Sequence, residues 1–144
     1  MKKYVHYGCK VFDKDLFINI TNVLLSTKPY GGFWASRTDA AFGWKDWCAS
    51  TNYKECMPEN SFTFTLGDNA KVLYINSANE LKELPMAKND LNISSWKLLD
   101  FEKLAGIYDA IDISISNDPE LHFALYGWDC DSILIMNPDI IQVL

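Results

Sequence analysis

The distribution of hydrophobic and polar residues along the chain predicts short β-strands. Between Ser61 and Leu66 phenylalanines alternate with threonines, and between Tyr108 and Ile115 isoleucines alternate with polar residues. Alternation with a period of two is typical of strands that bury one face. Five further segments have strand-like patterns: Tyr4–Lys10, Phe33–Ser36, Val72–Ile75, Ser132–Met136 and Ile140–Leu144. We expect Gly67-Asp68-Asn69 to close a hairpin between the Ser61–Leu66 and Val72–Ile75 strands.

Apolar residues at helical spacing and capping residues predict short helices between these strands. One helix is expected to end near Ala49, with Ser36 or Thr38 as its cap. Further helices are predicted after three other capping residues: Ala78–Leu84 after Ser77, Phe101–Ala105 after Asp100, and a helix from Pro119 toward Tyr126 after Asp118. The pattern over Asp13–Leu25 fits either a helix or a strand, and Met86–Ser95 is predicted to be a polar loop.

These elements together predict an α+β fold in a single domain that covers residues 1–144. We expect two packed, mostly antiparallel β-sheets with short helices on their flanks. A chain of 144 residues that is 49% hydrophobic can build a core without the support of disulfides or metals. Its four cysteines form no C-x-x-C pair, so no zinc site is expected. Disulfides are compatible with the chain but not required, and we expect free thiols.

Charge and hydropathy restrict the class of protein further. The net charge is −6, and the basic residues are scattered, which argues against a basic groove for a nucleic-acid backbone. The amino-terminal residues lack the apolar segment of a signal peptide, and no apolar run reaches the roughly 18 residues of a membrane span. We therefore expect a soluble, cytoplasmic protein that does not engage membranes.

Three short motifs carry the candidate chemistry. The first is His6-Tyr7-Gly8, the second is the segment from Gly31 to Ser36 with its Gly-Gly-Phe-Trp core, followed by the Trp44–Cys48 helix, and the third is Asp129-Cys130-Asp131. Glycines permit close backbone approach, and the aromatic side chains offer flat surfaces on which a ring can stack. Cys130 lacks an obvious histidine partner, which argues against a cysteine hydrolase.

The order of these motifs resembles the ADP-ribosyltransferase superfamily, in particular its H-Y-E type, which includes poly(ADP-ribose) polymerase-like and toxin-like enzymes. The resemblance extends over nearly the whole chain. It implies an NAD-dependent glycosyl transfer in which nicotinamide leaves and ADP-ribose passes to a protein or nucleic-acid acceptor. The chain departs from the family pattern in having aspartate where the family has its catalytic glutamate.

The resemblance also implies roles for individual residues. His6 would bind a ribose hydroxyl, and Tyr7 and Gly8 would hold the carboxamide of nicotinamide. Gly32 would allow close approach, and either Phe33 or Trp34 would stack on the ring together with Trp44; we expect Phe33. These two cannot both face the cleft, because neighbouring strand residues point to opposite sides.

The remaining polar candidates each have two interpretations. Asp131, or alternatively Asp129, would be the catalytic acid, but Asp131 could equally be bound by turn amides. Ser36 either binds the ligand or caps the helix, and His6 is either a ligand-binding residue or a buried strand histidine. Arg37 either pairs with the pyrophosphate or is solvated, and Asp112 is expected at the surface.

Two other functions remain open from the sequence. The missing glutamate favours a non-catalytic module on the same fold that binds NAD, ADP-ribose or a protein. The small acidic chain is also compatible with a toxin-like or defence-related effector.

Overall fold

The computed structural model describes residues 1–54, 56–88 and 96–144. Its seven strands are β1 (Tyr4–Tyr7), β2 (Phe33–Arg37), β3 (Ser61–Leu66), β4 (Val72–Ile75), β5 (Ala110–Ile113), β6 (Ser132–Ile135) and β7 (Ile141–Val143). Its three α-helices are α1 (Trp44–Thr51), α2 (Phe101–Ala105) and α3 (Pro119–Ala124). Short 3-10 turns are found at Lys14–Leu16, Pro58–Asn60, Ala78–Leu81, Ile115–Asn117 and Pro138–Ile140. The α+β class is therefore confirmed.

The strands form one sheet in the order β4-β5-β6-β2-β1-β3-β7, where two packed sheets were predicted. Every pairing is antiparallel except that of β4 with β5, so the sheet is mixed. Continuity depends on β2, which is shared between the two halves. Its residues 33–35 pair with β6, whereas Ser36 and Arg37 pair with Val5 and Tyr4 of β1.

The predicted hairpin between β3 and β4 is wrong. Strand β3 lies between β1 and β7, and β4 pairs in parallel with β5. A turn at Gly67 is present, but the start of β4 is attached to the start of β5 instead. The carboxylate of Asp109 accepts a 2.8 Å hydrogen bond from the backbone N–H of Lys71, and the Lys71 carbonyl accepts one from the N–H of Asp109. These long-range bonds place β4 beside β5 instead of beside β3.

Hydrophobic residues cover both faces of the central strands. Leu134 of β6 belongs to one core cluster, together with Phe101 of α2 and Leu121 of α3. Its neighbours Ile133 and Ile135 belong to a second cluster on the other face, as strand alternation requires. All residues of β5 and β6 are buried, so these two strands lie at the centre of the hydrophobic core.

The helix predictions are confirmed in part. Asp100 and Asp118 do cap α2 and α3 through their side chains. Ser77 makes no such cap, and the segment after it forms a short 3-10 turn. Over Asp13–Leu25 the structure has a 3-10 turn followed by irregular chain. The predicted loop over Met86–Ser95 lies mostly outside the described residues.

Candidate functional site

A cavity of about 400 Å³ opens beside the point at which β1 and β2 separate. Its walls come from β1, β2, α1, the turn before β2 and the segment after α1. The lining residues are His6, Tyr7, Gly8, Lys28, Pro29, Trp34, Trp44, Tyr53 and Cys56. Its volume lies within the range of small-molecule sites. Segments far apart in the sequence therefore meet in one ligand-sized space.

The separation of β1 from β2 leaves backbone groups facing this space. The ladder between them includes Val5 and Ser36 and then stops. Because Gly8 donates its N–H to Asn60 on the β3 side, the backbone groups of Tyr7 point to the opposite side, as alternate residues do in an antiparallel ladder. There the ladder with β2 has ended, so the N–H and C=O of Tyr7 face the opening.

His6 is held at the same opening. Its Nδ1 atom lies 2.7 Å from the carbonyl oxygen of Trp34. A carbonyl can only accept, so Nδ1 carries the proton and Nε2 of the neutral ring is an acceptor. Nε2 faces Gly8, because a Cβ atom built on that glycine would lie 3.5 Å from it. Burial lowers the pKa of His6 below its ordinary value, partly offset by the bond to Trp34, so the ring is neutral at pH 7.

Two tryptophans form walls of the cavity, and each is braced by another aromatic ring. Trp34 packs edge-on against Trp128 with ring centroids 4.8 Å apart, and Trp44 against Trp47 at 5.7 Å. The ammonium of Lys28 lies 5.7 Å from the ring centroid of Trp34 and 5.9 Å from that of Trp44. Both rings therefore border the same point in space.

The indole N–H of Trp44 has no hydrogen-bond partner in the described part of the chain, although it is buried. An unsatisfied buried donor is uncommon and calls for an explanation. On a residue that lines a cavity, an acceptor on a bound ligand would supply one.

The structure corrects the expectation that Phe33 faces the cleft. Phe33 and Trp34 point to opposite sides of β2, and it is Trp34 that lines the cavity. The Phe33 ring packs instead in an aromatic cluster, 4.2 Å from the ring of His6 and 5.9 Å from that of Phe62. The pair of rings at the cavity is thus Trp34 and Trp44.

Gly32, also expected to contact the ligand, is surrounded by the protein's own residues. With φ at +74°, a Cβ at this position would lie 2.5 Å from a methyl group of Leu134. At Gly31 a Cβ would lie 2.3 Å from the carbonyl oxygen of Asn19. The two glycines do permit close approach, but the groups that approach them are the Asn19 carbonyl and the Leu134 side chain rather than a ligand.

Ser36 lies within β2 and does not line the cavity, and the N-cap of α1 is Gly43 where Ser36 or Thr38 was predicted. Ser36 is buried, its Oγ accepts a 2.9 Å hydrogen bond from the N–H of Trp44, and it donates one of 2.8 Å to the carbonyl of Asp131. The helix itself begins at Trp44, later than predicted, with Asp46 accepting from the N–H of Gly43. Ser36 therefore positions Trp44 without reaching the ligand space.

Asp131, the first choice for the catalytic acid, is a buried residue with its hydrogen bonds satisfied. It is 2% exposed and does not line the cavity. Its carboxylate accepts from the N–H of Ser116 at 2.9 Å, from the Ser116 hydroxyl at 2.6 Å and from the N–H of Phe42 at 3.3 Å. The interpretation as a turn-bound aspartate is the one that this geometry supports.

Asp129, the alternative acid, is connected to the cavity. Its side chain is 42% exposed, and its Oδ2 lies 3.5 Å from the ammonium of Lys28, which is a lining residue. Four further lining residues carry no motif that would indicate a site, namely Lys28, Pro29, Tyr53 and Cys56. Lys28 and Pro29 lie in the segment that precedes β2.

Cys48 and Cys56 form a disulfide, so the prediction of free thiols is wrong for this pair. The bond connects α1, which carries Trp44, to the segment that contributes Tyr53 and Cys56 to the wall. Cys9 and Cys130 are free. Burial raises the pKa of Cys130 to about 11, so its thiol is protonated at neutral pH and a poor nucleophile.

Arg37 is engaged away from the cavity. Its guanidinium donates to the hydroxyl of Ser114 and lies 3.8 Å from the carboxylate of Asp112. Asp112, which we expected at the surface, is 3% exposed and accepts a hydrogen bond from the hydroxyl of Tyr4. Burial raises the pKa of Asp112, and the charge of Arg37 opposes that effect.

No protein-family model, curated protein or solved structure matches this chain. Within residues 1–54, 56–88 and 96–144, no three histidine, cysteine, aspartate or glutamate side chains are grouped so that they could hold a metal ion. Across the same described residues, no helix has the length and apolar character needed to cross a membrane.

Proposed function

We propose that this chain is a divergent ADP-ribosyltransferase that binds NAD in the cavity and transfers ADP-ribose to a protein or nucleic-acid acceptor. One observation carries the proposal. His6-Tyr7-Gly8, Trp34 and Trp44, which are distant in the sequence, line a single cavity of about 400 Å³. The seven-stranded sheet that parts at β1 and β2 would then be a variant of the fold of that superfamily.

The lining residues fit the nicotinamide half of the dinucleotide. The ring would stack between Trp34 and Trp44, and the carboxamide would bond to the backbone of Tyr7, which faces the opening. The Nε2 atom of His6 would accept a hydrogen bond from a ribose hydroxyl, since Nδ1 donates to Trp34. Stacking of this kind contributes roughly 0.5–1.5 kcal/mol per aromatic pair beyond burial.

Asp129 is the residue to which we assign the acidic role. In the reaction the bond between nicotinamide and C1′ of the ribose breaks, and nicotinamide leaves with the bonding electron pair. A carboxylate nearby stabilises the positive charge that this leaves on the sugar, and the acceptor then attacks C1′ and releases its proton to solvent. Asp129 is connected to the cavity through Lys28, whereas the carboxylate of Asp131 is occupied by Ser116 and Phe42.

The experiment is incubation of the purified protein with NAD, followed by chromatography for released nicotinamide and a search for labelled ADP-ribose on added proteins and nucleic acids. We expect turnover by the wild type and its loss in Asp129→Asn with NAD binding retained. Asp139→Asn is the matched control, because Asp139 is a surface carboxylate that also pairs with a lysine, Lys14. Absence of both binding and nicotinamide release in the wild type would contradict the proposal.

A second candidate is a module that binds NAD or ADP-ribose without cleaving it. It is favoured by the engagement of both predicted acids, Asp131 with Ser116 and Phe42 and Asp129 with Lys28. In the same experiment this function gives saturable NAD binding and no nicotinamide above the level of a protein-free blank.

A further inference from the structure

Lys28 lines the cavity but has no role of its own in the proposed reaction. Lys28 is the one lysine or arginine among the described lining residues. NAD carries two phosphate groups, and the chain has a net charge of −6. An anionic ligand is therefore repelled by the net negative charge of the protein, and Lys28 provides a positive charge at the cavity wall.

We propose that Lys28 binds the phosphate groups of the dinucleotide and that Asp129 is its counter-ion when no ligand is bound. This inference rests on the proposed function and assigns a residue to the diphosphate. An ammonium is a compact point charge on a flexible stem and is widely used to bind phosphate.

The backbone at Lys28 is anchored, while its side chain is partly exposed. The carbonyl of the preceding residue, Thr27, accepts a 2.8 Å hydrogen bond from the indole N–H of Trp128, and the N–H of Lys28 donates to the hydroxyl of Ser26. Thr27 is 4% exposed. The lysine side chain is 31% exposed, and its pair with Asp129 is long, at 3.5 Å. A half-exposed pair of this length is weak and readily exchanged.

Ring binding and phosphate binding are connected through this side chain. The ammonium lies 5.7 and 5.9 Å from the ring centroids of Trp34 and Trp44, so it borders both of the rings that would stack on nicotinamide. A nicotinamide ring that stacks between these tryptophans displaces the ammonium, and a phosphate that follows the ribose takes the place of Asp129 as its partner. The exchange leaves the Asp129 carboxylate unpaired next to the ribose, where the proposed reaction uses it.

The test is calorimetric titration of three probes into the wild type and Lys28→Gln. NAD and ADP-ribose contain the diphosphate, whereas nicotinamide riboside contains the ring and ribose without phosphate. We expect Lys28→Gln to weaken NAD and ADP-ribose about tenfold or more, and nicotinamide riboside by less than about threefold. Lys28→Arg should retain most of the affinity, and added salt should weaken NAD binding more in the wild type than in Lys28→Gln.

Lys14→Gln is the matched control, because it removes one positive charge from a surface pair with Asp139 and should change no affinity. Unchanged NAD affinity in Lys28→Gln would overturn the assignment of Lys28 and leave the proposed function standing. Equal weakening of NAD and nicotinamide riboside would also overturn it, because Lys28 would then shape the site of the nicotinamide ring. Absence of binding of all three probes to the wild type would instead reject the proposed function itself.

Discussion

The ring of His6 replaces a backbone hydrogen bond between β1 and β2, because its Nδ1 atom lies 2.7 Å from the carbonyl oxygen of Trp34. If the ladder continued past Val5 and Ser36, the backbone of Tyr7 would bond to Trp34. The side chain takes that carbonyl instead. This bond links β1 to β2 just beyond their last paired residues and fixes the tautomer of the imidazole. It also leaves the backbone groups of Tyr7 facing the cavity.

The buried, neutral state of His6 predicts a pH dependence of stability. Burial lowers its pKa in the folded protein, while the unfolded chain has the ordinary value of about 6.5. Between these two values the unfolded chain binds more protons, so the free energy of unfolding decreases as pH falls through the window below about 6.5. Urea unfolding at a series of pH values should show this decrease, and His6→Gln should lack it.

The control is His122→Gln, which removes the chain's other histidine from an exposed position on α3. An identical slope in His6→Gln and the wild type would show that His6 is not the group responsible.

Substitutions of Trp44 and Phe33 should have opposite effects, because Trp44 lines the cavity and Phe33 points to the other side of β2. Trp44→Leu should weaken NAD binding about tenfold, because one of the two rings that would stack on nicotinamide is lost. It should change the free energy of unfolding little. Phe33→Leu should reduce the free energy of unfolding by about 1–2 kcal/mol, because the partly buried ring packs against His6 and Phe62. Its NAD affinity should stay within about threefold of the wild type.

Calorimetry and urea unfolding on the same preparations separate the two effects. If Phe33→Leu lost affinity and Trp44→Leu did not, the assignment of Trp34 and Trp44 as the walls would be wrong.

The sequence was informative where the pattern is local. Alternation in β3 and β5 predicted their strand character. His6, Trp34 and Trp44 line one cavity, although Phe33 was expected there in place of Trp34. Alternation also showed that Phe33 and Trp34 face opposite sides. It could not show which side holds the cavity, since both residues are aromatic and both sides are apolar.

What the sequence could not predict depends on contacts between distant segments. The pairing of β4 with β5 rests on the bond from Lys71 to Asp109, which lie 38 residues apart. The burial of Asp131 depends on Ser116 and Phe42, neither of which has a motif that indicates it. Lys28 lies in a segment without a recognisable motif, and only the fold brings it close to Asp129.

Asp131 is predicted to stabilise the fold rather than to act as a catalytic residue. Asp131→Ala removes a buried carboxylate that accepts hydrogen bonds from the N–H groups of Ser116 and Phe42, so it should reduce the free energy of unfolding by about 1–3 kcal/mol. Asp139→Ala, at an exposed ion pair, should cost about 1 kcal/mol or less. Chemical denaturation measures both. A fully stable Asp131→Ala that binds NAD and has lost all turnover would instead return the catalytic role to Asp131.

The Cys48–Cys56 disulfide is predicted to stabilise both the fold and the wall of the cavity. The two residues are eight apart in sequence, and a cross-link that closes a loop of this size contributes about 2–3 kcal/mol in the chain-entropy model. Reduction by dithiothreitol should lower the free energy of unfolding by that amount. It should also weaken NAD binding, because Tyr53 and Cys56 line the cavity on the segment that the bond secures to α1.

The double variant Cys48→Ser/Cys56→Ser should match the reduced wild type and should not respond to dithiothreitol, which separates this bond from effects on Cys9 and Cys130. Denaturant midpoints and NAD titrations, each with and without reductant, provide the four measurements. Equal midpoints for the oxidised and reduced wild type would show that the cross-link adds no stability. Equal NAD affinities at different midpoints would show that the segment after α1 keeps its place without the bond, and that Tyr53 and Cys56 are held there by packing alone.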